Sequence, residues 1–507
     1  MFIRRKKNKS GTISVYILEK KDGKQNLIKS VGSSSDESEI ISLEEKAREE
    51  IIKLTNQGVL DFGYSTDEHH IENLKKSISK VRIVGTELVL NKLFDEIGFN
   101  KIPEELFRHL VLSRIIYPGS KLHTIEYLSR HHQEHYSVNS VYRYMDKLQD
   151  SYKEELQKIS YNHTLGLFGG IISVVFYDVT TLYFEISRED ELRKIGYSKD
   201  GKSHNPQIVL GLLVSKYGYP LAFEMYQGNK YEGYTFIPVL NKFKEVFNIS
   251  NLTVIADSGL MSKSNIDDLK KNNYKFIIGA RIKNETAQIK KDIISRNWEK
   301  EKIQFIEKQD DTDLIVSYSE KRSKKDKANR EKGIERLRSK INSGKLSKQN
   351  INNRGYNKFL KIEGEATISL DLSKTEEDAK WDGLKGYLTN TNLEPQQVIE
   401  NYHELWHIER AFRMSKTDLK VRPIYHQKSK RIESHLIISF CSYKIYKELE
   451  RQLKIKGSII SSEKAIDILK SIYGIRTTLP ISGKYHEIII ANTDEQKDIL
   501  DLFDVKY

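Results

Sequence analysis

Among the 71 acidic residues of this 507-residue chain, three stand where a carboxylate is hard to explain as surface polarity. Asp178 interrupts the run from Ile171 to Tyr183, which is otherwise apolar, aromatic or hydroxyl-bearing. A charge in the middle of a buried strand is costly unless it is paired or binds a metal. Asp257 closes Leu252-Thr253-Val254-Ile255-Ala256 and precedes Ser258-Gly259-Leu260, a tight turn into a helix. The carboxyl ends of strands in open α/β sheets are where ligands sit. Glu409 lies in the stretch from Tyr402 to Lys416. On a continuous helix, steps of seven nearly restore the angle, so Tyr402, Glu409 and Lys416 share one stripe with Arg413 a turn beyond Glu409. Each residue also has a plain reading: a helix cap or buried ion-pair partner for either aspartate, and a solvated i, i+4 pair with Arg413 for the glutamate. Taken together, the three carboxylates suit a two-metal site. Such a site holds two Mg²⁺ about 4 Å apart and activates a water or a 3′-hydroxyl against a phosphodiester. Hard oxygen ligands favour Mg²⁺, with Mn²⁺ as a substitute.

The elements that must position these groups can be read from the hydrophobic pattern. Ile171–Phe184 reads as a strand, Ile208–Ser215 and Leu221–Tyr226 as a hairpin, and Thr235–Phe247 as an amphipathic helix. Strand Leu252–Ala256, helix Ser262–Asn272 and strand Tyr274–Ala280 follow. Three strands, helix, strand, helix, strand is the order of a ribonuclease H-like α/β fold, whose covered sheet needs near-continuous apolar strands. The predicted fold class is therefore α/β: a ribonuclease H-like catalytic core with a strand-bearing insertion, preceded by a helical DNA-binding region. A helix is expected from Pro395 to about Asp418, and another from Lys428 to Leu453.

Six segments follow. Residues 1–75 form an N-terminal hairpin and helix region, the hairpin turning at Asp22-Gly23. Residues 76–155 are helical; short helices with tight breaks, ending in Val141–Leu148 capped by Ser137 or Asn139, suit helix-turn-helix DNA binding. Residues 156–283 carry the first part of the core, 284–380 a basic insertion with strand-like pieces at Leu314–Tyr318 and Ala366–Leu370, and 381–455 the second part with the Glu409 helix. Residues 456–507 form a C-terminal region with no assigned chemistry.

Here the residues resemble a known family. Tyr177-Asp178-Val179-Thr180-Thr181, Ala256-Asp257-Ser258-Gly259 and the stretch Tyr402–Lys416 are similar to the DDE transposases of bacterial insertion sequences. The similarity is to the subgroup with a tyrosine-arginine-glutamate-lysine (YREK) signature, and it spans about residues 100 to 450. Runs that fit include Pro118-Gly119-Ser120-Lys121-Leu122, Trp381 through Tyr387, Arg422-Pro423-Ile424-Tyr425-His426 and Arg431 through His435. In one departure, the signature arginine falls on Leu405. The resemblance implies that Asp178, Asp257 and Glu409 are catalytic metal ligands, and that Tyr402, Arg410, Arg413, Lys416 and Arg422 bind DNA, with Arg410 or Arg413 taking over from the absent arginine. It also implies Mg²⁺-dependent hydrolysis and strand transfer on double-stranded DNA, at terminal inverted repeats and target sites. A hairpin intermediate and a synaptic homodimer are further implications.

Composition agrees with this direction. The net charge is +13, and a basic surplus attracts polyanions. From Lys321 to Lys348 there are 12 basic and 3 acidic residues, a concentration that favours contact with backbone phosphates. The single cysteine, Cys441, excludes an intramolecular disulfide and a cysteine-rich zinc site, which fits a reducing bacterial cytoplasm and, for a DNA-bound protein, its nucleoid. The longest run free of Asp, Glu, Lys, Arg and His, Thr164–Tyr177, is 14 residues, short of the roughly twenty a membrane helix needs. No P-loop occurs, so no nucleotide cofactor is implied. Two alternatives remain open to experiment: a catalytically silent transposon-derived DNA-binding protein, and a ribonuclease H-like nuclease without strand transfer.

Overall fold

The structure is a computed structural model; it describes the chain except residues 22, 56–66, 187, 199, 200, 203, 250, 299, 309, 345, 347–351, 353, 354, 364–366, 480 and 481. The chain divides into two compact units, residues 1–79 with 477–486 and residues 80–476 with 487–507. In the first unit, strands Phe2–Lys7, Ile13–Lys21 and Lys24–Ser34 form an antiparallel meander. Helix Glu37–Thr55 covers it and buries Val15, Ile17, Ile40 and Ala47 in a small core. Asp22, half of the expected turn, lies outside the described residues.

The second unit is built on an eight-stranded sheet, whose strands are numbered here in chain order: β1 (Val174–Tyr183), β2 (Gln207–Ser215), β3 (Pro220–Gln227), β4 (Thr253–Ala256), β5 (Lys275–Ala280), β6 (Ile303–Glu307), β7 (Asp313–Tyr318) and β8 (Leu384–Thr389). Their spatial order is β6-β7-β8-β5-β4-β1-β2-β3. Strands β1, β4 and β5 are parallel, whereas β2 and β3 return antiparallel as a hairpin pair. This is the mixed sheet of a ribonuclease H-like fold, and the expected order of elements holds. The insertion does more than interrupt the fold. Its strands β6 and β7 pair antiparallel with each other, and β7 pairs with β8, so they extend the main sheet. Strand β8, which follows the insertion, was not expected; it pairs antiparallel with β5. The basic stretch forms helix Glu320–Asn342, held to the sheet side by an ion pair from Arg330 to Asp382, the turn residue before β8.

Alternation sorts the side chains between two covered faces. Val175, Tyr177 and Val179 pack with Phe236, Leu240 and Leu269 of helices Gly233–Phe247 and Lys263–Lys271. Phe176 and Leu182 face the other way, into the large core with Ile408, Phe412 and Ile437. Gly211 on β2 leaves room for the Tyr177 ring, whose hydroxyl pairs with the Thr235 hydroxyl at 2.8 Å; a Cβ at Gly211 would lie 2.5 Å from that oxygen.

The helical region expected before the core is present, but it is not a separate module. Helices Gly85–Ile97, Glu105–Ile116 and Val138–Leu167 share one core with helix Ser429–Ile455. The last expected helix is far longer than Val141–Leu148, and Ser137 caps it by accepting from the Ser140 amide. Its Val141, Tyr144, Met145 and Leu148 are buried. Among the described residues, no helix is long and apolar enough to cross a membrane.

Candidate active site

Strand register places the two aspartates. Tyr177 of β1 lies opposite Ala256 of β4 in the parallel ladder, so the next residues, Asp178 and Asp257, are neighbours where β4 ends. Parity then sets their face. Asp178 alternates with Phe176, and Asp257 with Ile255, and both of those belong to the large core. Both carboxylates therefore belong to the face covered by helices Pro395–His403 and Trp406–Thr417. Asp178 is half-buried, and its Oδ1 accepts from the Val179 amide at 2.8 Å. Asp257 is exposed, and its Oδ1 accepts from the Ser258 amide at 2.7 Å.

Tyr402 fixes Asp257 from the helical side. Its phenol donates to Asp257 Oδ1 at 3.1 Å, while the ring is buried edge-on against Tyr387, with centroids 5.0 Å apart. Burial and the Asp257 charge push the phenol well above its ordinary range, so it stays a donor at any physiological pH. Space for the hydroxyl comes from Gly279 on β5, where a Cβ would lie 2.6 Å from it.

The expected continuous helix is broken. It ends at His403 and restarts at Trp406, with i→i−3 bonds from Leu405 to Tyr402 and from His407 to Glu404. The stripe joining Tyr402 to Glu409 and Lys416 therefore does not run straight. Tyr402 turns inward, whereas Glu409 is exposed in the first turn of the second helix, where the helix dipole favours a carboxylate. Leu405, where the signature arginine would fall, is 7% exposed and packs into the core. The position serves packing here, which is why an apolar residue occupies it. Glu409 does not pair with Arg413; among the described residues it makes no hydrogen bond or ion pair.

The cations expected to bind DNA are placed differently from one another. Arg410 is committed to Glu450 at 2.6 Å, whereas Arg413 is exposed with no ion-pair partner among the described residues. Lys416 lies beside Phe412 and Thr180 on a small cavity over β1 and β2. The Arg422 guanidinium sits 5.7 Å from the centre of the Tyr183 ring, at the far end of β1.

One site residue escaped the sequence reading. Lys385 of β8 holds its ammonium 4.2 Å from the centre of the Tyr402 ring, and it feels both Asp257 and Glu409. Burial and the nearby Arg322 guanidinium lower its pKa; the two carboxylates oppose them. The signal was available, since a lone lysine in an apolar strand invites the same question as Asp178. A groove of about 380 Å³ opens beside it, lined by Lys302, Arg322, Lys385 and His403 with no carboxylate. Among the described residues, no group of three or more His, Cys, Asp or Glu side chains is gathered closely enough to hold a metal ion.

A family model described as "Transposase DDE domain" matches residues 169–445. No curated protein sequence matches the chain. Among solved structures, the chain is similar to piggyBac transposase in a synaptic complex with hairpin DNA, at 10% identity and a TM-score of 0.36, covering 79% of each chain. It is also similar to Mos1 transposase in a paired-end complex with the left transposon end, at 12% identity and a TM-score of 0.16, covering 46% of this chain and 71% of that one. A Mos1 mariner paired-end complex with Mn matches at 11% identity and a TM-score of 0.15, covering 46% and 72%.

Proposed function

The chain belongs to the DDE transposase domain family, and from that premise we propose that it cuts and joins DNA at the ends of a bacterial insertion sequence. The observation that carries this reading is the parallel register of Tyr177 with Ala256, which sets Asp178 beside Asp257 on the face covered by the helix bearing Glu409. In this proposal Asp178, Asp257 and Glu409 hold two Mg²⁺, or Mn²⁺ in their place. The donor chemistry fits: all three are hard carboxylate ligands, and Glu409 and Asp257 Oδ2 are not engaged in hydrogen bonds or ion pairs among the described residues. The ions supply activation of the attacking oxygen and stabilisation of the leaving one.

The chain's own groups do the positioning. Tyr402 holds Asp257 through its hydroxyl, and the half-buried Lys385 sets a positive charge near Asp257 and Glu409, beside the basic groove. Lys385 and Arg322 replace the signature arginine as the cations nearest the reacting strand, with Arg413, Lys416 and Arg422 further along the DNA path. Arg410, tied to Glu450, supports the helix instead. Water attacks first and frees a 3′-hydroxyl, which then attacks the opposite strand or the target. Residues 80–150 recognise the terminal repeats, and two copies act together in a synaptic complex at the nucleoid.

The test is Mg²⁺-dependent cleavage of DNA carrying the element's own ends, comparing wild type with Asp178→Ala, Asp257→Ala and Glu409→Ala. Each variant should lose cleavage and keep DNA binding. Cleavage retained in all three would reject the triad. Binding without cleavage by the wild type would identify a DNA-binding scaffold, and hydrolysis without joining a nuclease.

A further inference from the structure

Residues of two runs singled out in the sequence, Pro118 through Leu122 and Arg422 through His426, line one cavity, and of these only Arg422 has a place in the function proposed above. The cavity measures about 540 Å³, far more than one water needs. Its wall carries seven basic side chains, Arg114, Lys121, His123, Lys420, Arg422 and the histidines 426 and 435, beside the phenols of Tyr142 and Tyr425. No carboxylate lines it. The nearby acid, Asp146, is already engaged by both Nε and Nη2 of Arg431, at 2.8 and 2.9 Å.

The two deepest cations are the informative ones. Lys121 is 4% exposed, and its ammonium has no hydrogen bond or ion pair among the described residues. Arg114 is 3% exposed, and all its partners are neutral: the carbonyls of Leu419 and Lys420 at 3.5 and 3.4 Å, and His435 Nδ1 at 3.4 Å. His435 donates through Nε2 to the Val421 carbonyl at 2.9 Å, so its Nδ1 can accept only while the ring is neutral. Burial and the Arg114 charge hold His435 and Lys121 below their usual ranges, and burial alone takes Arg114 down to about 10. A buried cation kept for stability is normally paired with a carboxylate. Here two basic groups face one cavity without a carboxylate, a lining that an incoming anion would complement.

We propose that this cavity binds a phosphate group of the DNA backbone, with Lys121 and Arg114 as its inner cations and Lys420 and Arg422 at its mouth. The proposal rests on the DNA-processing reading above, and it adds an anchoring point for the substrate apart from the three carboxylates. Phosphate is favoured over a carboxylate ligand because several donors converge from different elements on one large, acid-free space, which suits a tetrahedral anion with many acceptor oxygens.

The experiment uses the full chain and two probes, inorganic phosphate and a double-stranded oligonucleotide. The variant is Lys121→Met, which keeps the bulk and removes an unpaired buried charge; it should melt at or above the wild-type temperature in phosphate-free buffer. Phosphate should raise the melting temperature of the wild type and not of the variant. The variant's affinity for duplex should fall about threefold to tenfold, and the slope of log affinity against log salt should shrink by about one. If Lys121→Met does not fold, Lys420→Gln at the exposed mouth gives the same readout. An unchanged duplex affinity and salt slope in the folded variant overturns the proposal. Loss of the phosphate shift alone also overturns it, because the site would then take free phosphate and not DNA. A wild-type chain that never cleaves, yet loses its salt slope on Lys121→Met, defeats the transposase reading and leaves this one standing.

Discussion

Gly279→Ala tests the arrangement around Asp257 without touching any proposed catalytic group. Gly279 does not need a left-handed backbone, so alanine meets only a spatial problem. Its Cβ would lie 2.6 Å from the Tyr402 hydroxyl, and 3.1 and 3.2 Å from the Ser258 amide nitrogen and Cβ. Overpacking of this kind costs about 1–3 kcal/mol. The cheapest relief is to move the hydroxyl away from Asp257 Oδ1, to which it donates at 3.1 Å. A hydrogen bond to a charged acceptor contributes about 1.5–3 kcal/mol, and the exposure of Asp257 argues for the lower end. Tyr402→Phe should therefore slow end cleavage roughly tenfold, at about 1.4 kcal/mol per factor of ten. Gly279→Ala should slow it by about tenfold to a hundredfold. The double variant decides the matter. Phenylalanine removes the atom at 2.6 Å and leaves only the milder contacts with Ser258. The two losses should then fail to add, with a coupling of at least about 1 kcal/mol. The assay is single-turnover cleavage at saturating DNA, with melting temperature and duplex affinity measured on each variant. Additive losses would show that Gly279 acts elsewhere, and unchanged cleavage in Tyr402→Phe would remove the positioning role.

Three further outcomes are expected. Lys385→Met should leave the fold intact while lowering end cleavage about tenfold or more, since it removes the cation near Asp257 and Glu409; equal cleavage by both proteins refutes the role. Burial, with Lys121, Arg114 and Arg431 nearby, lowers His426 from 6.5 to about 3. A histidine kept neutral in the fold gives stability that is complete above pH 6.5 and is lost as pH falls toward 3, by at most about 1.4 kcal/mol per pH unit. Denaturant midpoints measured across that window should flatten in His426→Gln, and an unchanged slope contradicts the burial argument. Arg330→Ala strands Asp382, and both members of the pair are largely buried, so it should cost up to about 3 kcal/mol in chemical denaturation; a loss below about 0.5 kcal/mol would mean the pair does not tether the helix.

Much of the core was legible because its strands are covered on both faces and read as unbroken apolar runs. Ile171–Phe184 contains β1 with three extra residues at the front and one at the end, and the hairpin β2–β3 and strands β4 and β5 agree to within a residue at each end. The strands that escaped are those whose pattern is diluted. β8 carries Lys385 and Gly386 in six residues, and β6 is an edge strand ending in glutamate. Edge strands need apolar side chains on fewer positions, so composition marks them weakly. The long helix Val138–Leu167 was cut short at Leu148 because its second half is largely polar. There Lys153 is held between Glu224 and Glu433 at 3.0 and 2.6 Å, partners that come from distant segments.

The candidate site divides along the same line. The proximity of Asp178 and Asp257 follows from local rules: each ends or interrupts an apolar strand, parallel pairing aligns Tyr177 with Ala256, and alternation puts both acids on one face. The place of Glu409 does not follow from its own segment. Neither Gly nor Pro marks the break at Glu404–Leu405; the residues there have ordinary helical preferences. What breaks the helix is tertiary: Tyr402 is drawn to Asp257 and Tyr387, while Leu405 is drawn into the core beneath. A seven-residue spacing is a guide to the geometry of Tyr402 and Glu409 only on a continuous helix, and this helix is broken between His403 and Trp406. Because the break frees Glu409 from the line of Tyr402, the first faces solvent in the opening turn of its helix while the second is buried and donates to Asp257.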